Sequence, residues 1–231
     1  GIIPPVTDSS DSSLHDAPST AAEWLDRHDT LGHYERVGYV GLGESYNRWI
    51  YRLRRRHFLA LARRHGLRAD DRVLDVGLGS AFYIGIYKEL CIRDVCGVDI
   101  SPTAVERARA AYPSYHFAVC DITSGLPEEI APLTADGITS RHDWVSAMDM
   151  LYHIVEDELF FKALRHCGNA VRPGGRLIIS DNFPDRKLPA DAHQAYHTLE
   201  DYEQTLAPMG FSLTEVCPVF YFSNGQVGAA G

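Results

Sequence analysis

The segment Arg72-Val73-Leu74-Asp75-Val76-Gly77-Leu78-Gly79 constrains this chain more than any other. An apolar run with strand character ends on an acid and passes at once into a glycine pair. Glycine adopts left-handed backbone without a Cβ penalty. Such a pair therefore turns a strand tightly into the next helix and brings bare backbone N–H groups close to a ligand at that helix's N-terminus. Taken alone the loop does not discriminate: nicotinamide and flavin enzymes use similar ones, and a buried turn with no ligand also favours Gly.

From Arg72 onward the pattern alternates strand and helix, as in a parallel sheet covered on both faces. Strands are predicted at 72–76, 95–99, 116–120, 144–148 and 175–181. Ser101 followed by Pro102 reads as an N-cap with Pro at the first helical position. A helix over 157–171 is predicted to break at Pro173-Gly174-Gly175. A helix near 198–207 and a strand at 211–217 complete the domain, the last strand running antiparallel. The organisation expected is a flexible tail over 1–18, an N-terminal helical lid or substrate segment over 19–70, and one cofactor-binding domain over 71–231.

Within the lid segment, Thr20 with Glu23 makes a capping box for a short helix. A second helix from about Ser45 to His65 places Trp49, Ile50, Leu53, Ala60 and Leu61 on one face. Arg52, Arg55, Arg56 and Arg63 gather on the other, the pattern of a solvated face.

Composition removes several classes. A net charge of -9 argues against a partner bound through phosphate neutralisation, so no nucleic-acid partner is expected and a small-molecule acceptor fits better. Five cysteines with no CxxC pair read as reduced thiols, which points to the cytoplasm. No run approaches the length of a membrane helix, and the Ser/Asp/Pro-rich start lacks a signal-peptide core, so no membrane partner is expected.

Spacing sharpens the glycine loop. Asp99 ends the second strand about 20 residues on, where an acid can accept from both hydroxyls of a ribose. Asp121 follows the third strand, in reach of an adenine amino group. One strand-end Asp is usually a helix cap, but three such acids, with Asp75, are harder to explain that way.

On these residues, 72 to 182 resemble the core of class I S-adenosylmethionine (SAM) dependent methyltransferases. The resemblance implies an α/β, Rossmann-like fold: a mostly parallel sheet with an antiparallel C-terminal strand and helices on both faces. It implies SAM as cofactor, with Asp75, Gly77 and Gly79 around its methionine part, Asp99 and Ile100 at the ribose, and Cys120, Asp121 and Ile122 at the adenine. Met148 joins this cofactor set. Ala81 stands where the family has a third loop glycine.

Methyl transfer to a hydroxyl needs a positioned nucleophile and a group to take its proton. The segment after the fourth strand, Met148-Asp149-Met150-Leu151-Tyr152-His153, supplies His153 as the candidate base, since an imidazole titrates near neutrality. A structural His bonded to a neighbouring loop fits the residue equally well. Asp149 is the second catalytic candidate. Asp149 and Asp181 would orient His153 or bind an acceptor hydroxyl, with strand-end capping as the plainer role.

The strings LYHIVEDELFFKAL, RPGGRLIISDNF and HTLEDYEQTLAPMGF resemble small methyltransferases of polysaccharide and secondary-metabolite pathways, among them the mycobacterial sugar 1-O-methyltransferases of methylmannose polysaccharide synthesis. That resemblance implies O-methylation of a sugar or glycoside. Tyr46, Asn47, Trp49, Tyr51, Tyr152, Tyr196, His197 and Tyr221 are the candidates for stacking on and hydrogen-bonding such an acceptor. They serve equally as core aromatics. The exposed aromatic helix makes a homodimer an expectation.

His193 and His197 stand at a metal-pair spacing, but no acidic third ligand is near, and no metal is expected. The residues after the fourth strand match neither DNA-base nor protein-arginine methyltransferases. A small-molecule N-methyltransferase and a non-catalytic SAM-binding subunit stay open.

Overall fold

A computed structural model describes residues 43–130, 141–190 and 194–219. The expected tail, the helix capped by Thr20, His193 and Tyr221 lie outside these residues. Helix α1 (Gly43–Arg64) leads into β1 (Arg72–Val76), α2 (Phe82–Glu89), β2 (Asp94–Asp99), α3 (Pro102–Ala111) and β3 (His116–Val119). Then come β4 (His142–Met148), α4 (Asp157–Asn169), β5 (Val171–Ser180) and α5 (Leu199–Leu206). Single turns of 3-10 helix at Ile122–Ser124, Leu151–His153 and Ala207–Met209 punctuate the chain.

The strands form one sheet in the order β3-β2-β1-β4-β5, every neighbouring pair parallel. A parallel sheet is buried on both faces, so its inner strands read as continuous apolar runs. Val73, Leu74 and Val76 of β1 and Val95, Cys96 and Val98 of β2 are all buried. The strand order reverses between β1 and β4. In an open α/β sheet the crevice at the carboxyl ends of the strands flanking such a reversal is where ligands bind.

Helix α3 forms as its cap predicts: the Ser101 hydroxyl accepts from the Ala104 N–H at 3.2 Å, with Pro102 opening the helix. Helix α5 is fixed by a full capping box, Thr198 with Asp201. Helix α1 lies against α2 through an aromatic seam. Tyr51 meets Phe82 edge-on at 4.8 Å between centroids, and Phe58 packs on Tyr83 at 5.0 Å and on Tyr87 at 5.6 Å. Burying Phe58 contributes on the order of 2–3 kcal/mol.

The structure corrects three expectations. The buried stripe of α1 runs through Asn47, Ile50, Tyr51, Phe58, Leu59 and Ala62, whereas Trp49 is 52% exposed and Ala60 faces out. Arg52, Arg55, Arg56 and Arg63 do face solvent.

Pro173-Gly174-Gly175 does not precede β5 but lies inside it. The register passes from His142↔Val171 to Trp144↔Arg176, so the extra residues bulge from the edge strand, where a Pro without an N–H breaks no ladder. A Cβ on Gly175 would stand 2.8 Å from the Asp143 carbonyl oxygen, which requires glycine there.

The antiparallel strand expected at 211–217 is absent: residues 211–219 contain no strand. Side chains tie this segment to α1 instead, with Glu215 paired to Arg64 and, at 2.7 Å, to His65, and the Cys217 Sγ 3.6 Å from the His57 Nδ1.

Candidate functional site

The loop after β1 has the strained geometry its glycines imply. Gly77 and Gly79 take φ of 77° and 50°, and a Cβ on Gly77 would stand 2.8 Å from the Met150 side chain. Ala81, at the position of the third family glycine, also adopts a left-handed φ of 61°. Asp99 clamps this loop to β2. Its carboxylate accepts from the Gly79 N–H and from the Ser101 N–H, each at 2.8 Å. Burial pushes the Asp99 carboxyl above its ordinary value while these N–H groups pull it back.

Asp75 sits beneath the loop. It is 1% exposed, and its Oδ1 accepts from the Ser146 hydroxyl at 2.6 Å, while Ser146 in turn receives the Tyr87 hydroxyl at 2.8 Å. Its Oδ2 is buried with no hydrogen-bond partner. Burial raises this carboxyl to about 7, against the Ser146 bond and with the Asp99 charge adding to the rise. Asp75 therefore underlies the site and is not part of its surface.

The surface is a cleft of about 230 Å³ lined by Gly77, Gly79, Asp99, Ile100, Cys120, Asp121, Ile122, Met148, Asp149 and His153, together with Tyr51 and Arg54 of α1. Ile100 is 39% exposed here, an apolar face at the cleft rather than in the core. Asp121 follows Cys120 after the end of β3 and caps the Ile122–Ser124 turn, its Oδ1 accepting the Thr123 N–H at 2.9 Å and hydroxyl at 2.7 Å. Apart from Asp75, the residues expected to hold the cofactor stand together on this one surface.

A second, larger cleft of about 960 Å³ runs along α1, β5 and residues 211–219. The two clefts share Arg54, Tyr83, Met148 and Asp149. At the junction the Arg54 guanidinium lies 3.0 Å from the Asp149 carboxylate, whose Oδ1 also accepts the Ser180 hydroxyl at 2.7 Å. Asp149 has a φ of 56°, a left-handed conformation costly for a non-glycine residue and of the kind that gathers at working sites. The Asp149 charge works against the desolvation of Arg54, holding its guanidinium protonated in spite of burial.

His153 lines the first cleft and not the second, its ring 4.3 Å from that of Tyr152. Tyr152 lines the second. Asp181 also faces the second cleft, with its Oδ2 bonded to the Tyr202 hydroxyl and its Oδ1 accepting from the Asn182 N–H at 2.6 Å. Burial raises the Asp181 carboxyl to about 7, opposed by those two donors and reinforced by Asp149.

The other acceptor candidates fall elsewhere. Tyr46 and Trp49 stand 6.2 Å apart at the start of α1, and Asn47 is fully buried; none of the three lines either cleft. Tyr196 packs on Tyr152 at 5.7 Å and lines neither cleft. His197 is a core residue, fully buried, stacked 3.6 Å from Phe160 and with its Nε2 3.1 Å from Asp157. Among the described residues no group of three or more His, Cys, Asp or Glu could hold a metal ion.

Tyr51, an acceptor candidate in the sequence, lines the first cleft instead, and Arg54 was missed in the sequence. The available signal was the stripe Asn47, Ile50/Tyr51, Arg54, Phe58, whose helical spacing turns Arg54 inward, away from the other arginines.

A family model described as a methyltransferase domain matches residues 74–179. Over these residues the chain is thus similar to a methyltransferase domain. The chain is 30% identical over 198 residues to phosphoethanolamine N-methyltransferase 1 of Triticum aestivum, covering 77% of this chain and 34% of that protein. It is 30% identical over 112 residues to the ubiquinone biosynthesis O-methyltransferase of Pectobacterium atrosepticum, covering 47% of this chain and 42% of that one. The chain thus spans about a third to two fifths of the length of these curated relatives. Among solved structures, the N-methyltransferase NodS from Bradyrhizobium japonicum WM9, in complex with S-adenosyl-L-homocysteine, superposes with a TM-score of 0.58 at 18% identity. That match covers 81% of this chain and 85% of NodS.

Proposed function

We propose that this methyltransferase domain transfers a methyl group from SAM to a hydroxyl of a small molecule held in the second cleft. The observation that carries the reading is the sharing of Arg54, Tyr83, Met148 and Asp149 by two clefts, one with the residues expected around SAM and one large enough for an acceptor. SAM supplies a methyl group on a cationic sulfur, open to in-line attack. The glycine loop, clamped by Asp99, offers N–H groups and a close backbone approach; Asp99 and Asp121 retain acceptor capacity for ribose and adenine. Arg54 holds Asp149 rigid at the junction, which positions whatever hydroxyl enters beside the pair.

As the acceptor oxygen gains the methyl group, its proton must leave. His153 is the proposed recipient from the cofactor side. Asp181 is a second reading, favoured because it faces the acceptor cleft and its carboxyl titrates near neutrality. A sugar or glycoside hydroxyl remains the proposed acceptor, with Tyr152, Ser180, Asp181 and Asn182 as the polar groups at the near end of the cleft. Amine transfer differs in needing no such recipient in the site.

The test is release of S-adenosylhomocysteine by the purified chain incubated with SAM and panels of glycosides, phenols and amines. Turnover with hydroxyl acceptors that falls at least 100-fold in His153→Ala or Asp181→Asn, with SAM affinity retained, supports the reading and names the base. Turnover confined to amines overturns O-transfer, and SAM binding without turnover on any panel leaves a non-catalytic subunit.

A further inference from the structure

We infer that the acceptor is an amphiphile, a hydroxyl-bearing head joined to a long apolar body, and that the second cleft is built for that body. The inference rests on the methyl-transfer reading for what happens at the head, but the seat for the apolar body stands on its own geometry. Two rulers measure the cleft. Along α1 it extends from Arg54 to His65, about 16 Å at 1.5 Å per residue. Along β5 it extends from Ser180 back to Arg176, about 13 Å at 3.3 Å per residue. The register pairs Ser180 with Met148, so one end of both rulers is the junction with the cofactor cleft.

Polarity changes along this length. The junction end has Arg54, Asp149, Ser180 and Asp181, groups that hold a hydroxylated head. The far end carries His65, 2.7 Å from Glu215, and Arg176. The wall between is largely apolar, with Phe58 and Leu61 from α1, Leu177 and Ile179 from β5, Leu206 at the end of α5 and Phe211 beyond it, interrupted by Glu203, Ser212 and Thr214. His57 within this stretch has its Nδ1 turned to the Cys217 Sγ. Leu213 and Val216, on the segment that side chains tie to α1 and that also lines the cleft, are 50% and 53% exposed. Apolar side chains left open along a concavity that leads to a transfer point mark a ligand surface. A flat homodimer contact would not place its centre inside a groove continuous with the cofactor cleft.

The test uses the intact chain with S-adenosylhomocysteine present and two probes, methyl β-D-glucoside and n-dodecyl β-D-glucoside, the latter below its micelle concentration. Isothermal titration calorimetry reads binding without needing turnover. Each buried methylene is worth about fourfold in affinity. The dodecyl probe is therefore expected to bind at least tenfold more tightly than the methyl probe. Leu213→Asp combined with Val216→Asp, at exposed positions the fold does not need, is expected to abolish that tenfold advantage while S-adenosylhomocysteine binds as before. Equal binding of the two probes overturns the inference, as does a dodecyl advantage that the double variant keeps. A dimer in sedimentation velocity that the double variant dissociates, with no dodecyl advantage in the wild type, assigns the face to a second copy and also overturns it. Failure to bind S-adenosylhomocysteine at all is a different result: it sinks the methyl-transfer reading and leaves the probe comparison to be read on its own.

Discussion

Arg54 of α1 and Asp149 at the exit of β4 face each other at 3.0 Å, and this contact is where the two clefts meet. It joins a helix outside the family-matched residues to the strand end where transfer is proposed.

Removing one member of a largely buried pair strands the other charge, at a cost of about 3–5 kcal/mol. Arg54→Met is expected to lose about that much stability in urea melts and to lose turnover. Asp149→Asn is milder, because Asn tolerates the left-handed backbone that Asp149 occupies. That variant keeps the backbone but leaves Arg54 buried without its counter-charge, so it is expected to lose about 2–4 kcal/mol and to reduce turnover at least tenfold. An Asp149→Asn protein with wild-type turnover would remove Asp149 from the site.

The buried Asp75 carboxyl predicts a pH dependence with a definite sign. Its folded value of about 7 lies above the ordinary 3.8, so between those values the fold holds a proton that the unfolded chain has released. Stability from this group is present at low pH and is lost as pH rises through that window. Asn keeps the shape and accepts the Ser146 hydroxyl without ever ionising. Asp75→Asn is therefore expected to be about 1–3 kcal/mol more stable than wild type at pH 8. The gap should close at pH 4, and denaturant midpoints at the two pH values check it. A gap of the same size at both ends would mean that the carboxyl is not the titrating group.

What the sequence made legible, and what it hid, follows from where each residue's partners lie. β1 was readable to the residue because a doubly buried parallel strand is a short apolar run, and α3 because Ser101-Pro102 is a local cap. Pro173-Gly174-Gly175 misled because the same residues that end a helix also form a bulge on an edge strand, and only the partner strand β4 decides which. Residues 211–217 alternate like a strand, but Glu215 finds Arg64 and His65, far away in sequence, before any ladder. Apart from Asp75, the residues expected around SAM fall on one cleft because strand ends are set by local pattern. The acceptor side was not legible, since it depends on which face of α1 packs on α2.

Ala81 is a residue in a glycine's conformation, and its φ of 61° carries a strain of about 1 kcal/mol. Ala81→Gly relieves the strain but leaves the unfolded chain freer and removes a buried methyl. The net change expected is within about 1 kcal/mol of zero. Gly77→Ala meets both a positive φ and the Met150 side chain at 2.8 Å, and is expected to cost about 2–4 kcal/mol and to weaken SAM binding at least tenfold. Thermal melts with and without SAM separate the two effects. If Gly77→Ala binds SAM like wild type, the loop's close approach is not what holds the cofactor.

His197 decides between a core and an acceptor role, since sequence allowed both. The ring lies nearly parallel to Phe160 at 6° and is fully buried, so it fills volume that nothing else occupies. Its bond to Asp157 favours the protonated ring, but desolvation is the larger effect and lowers its titration below the ordinary value. A neutral ring in the core needs shape more than charge. His197→Phe, close in size, is expected to cost less than about 2 kcal/mol, and His197→Ala about 2–4 kcal/mol through the cavity it leaves. Neither should change the KM of any acceptor at a temperature where the protein stays folded. A His197→Phe enzyme with full stability and a tenfold higher acceptor KM would return this residue to the binding surface.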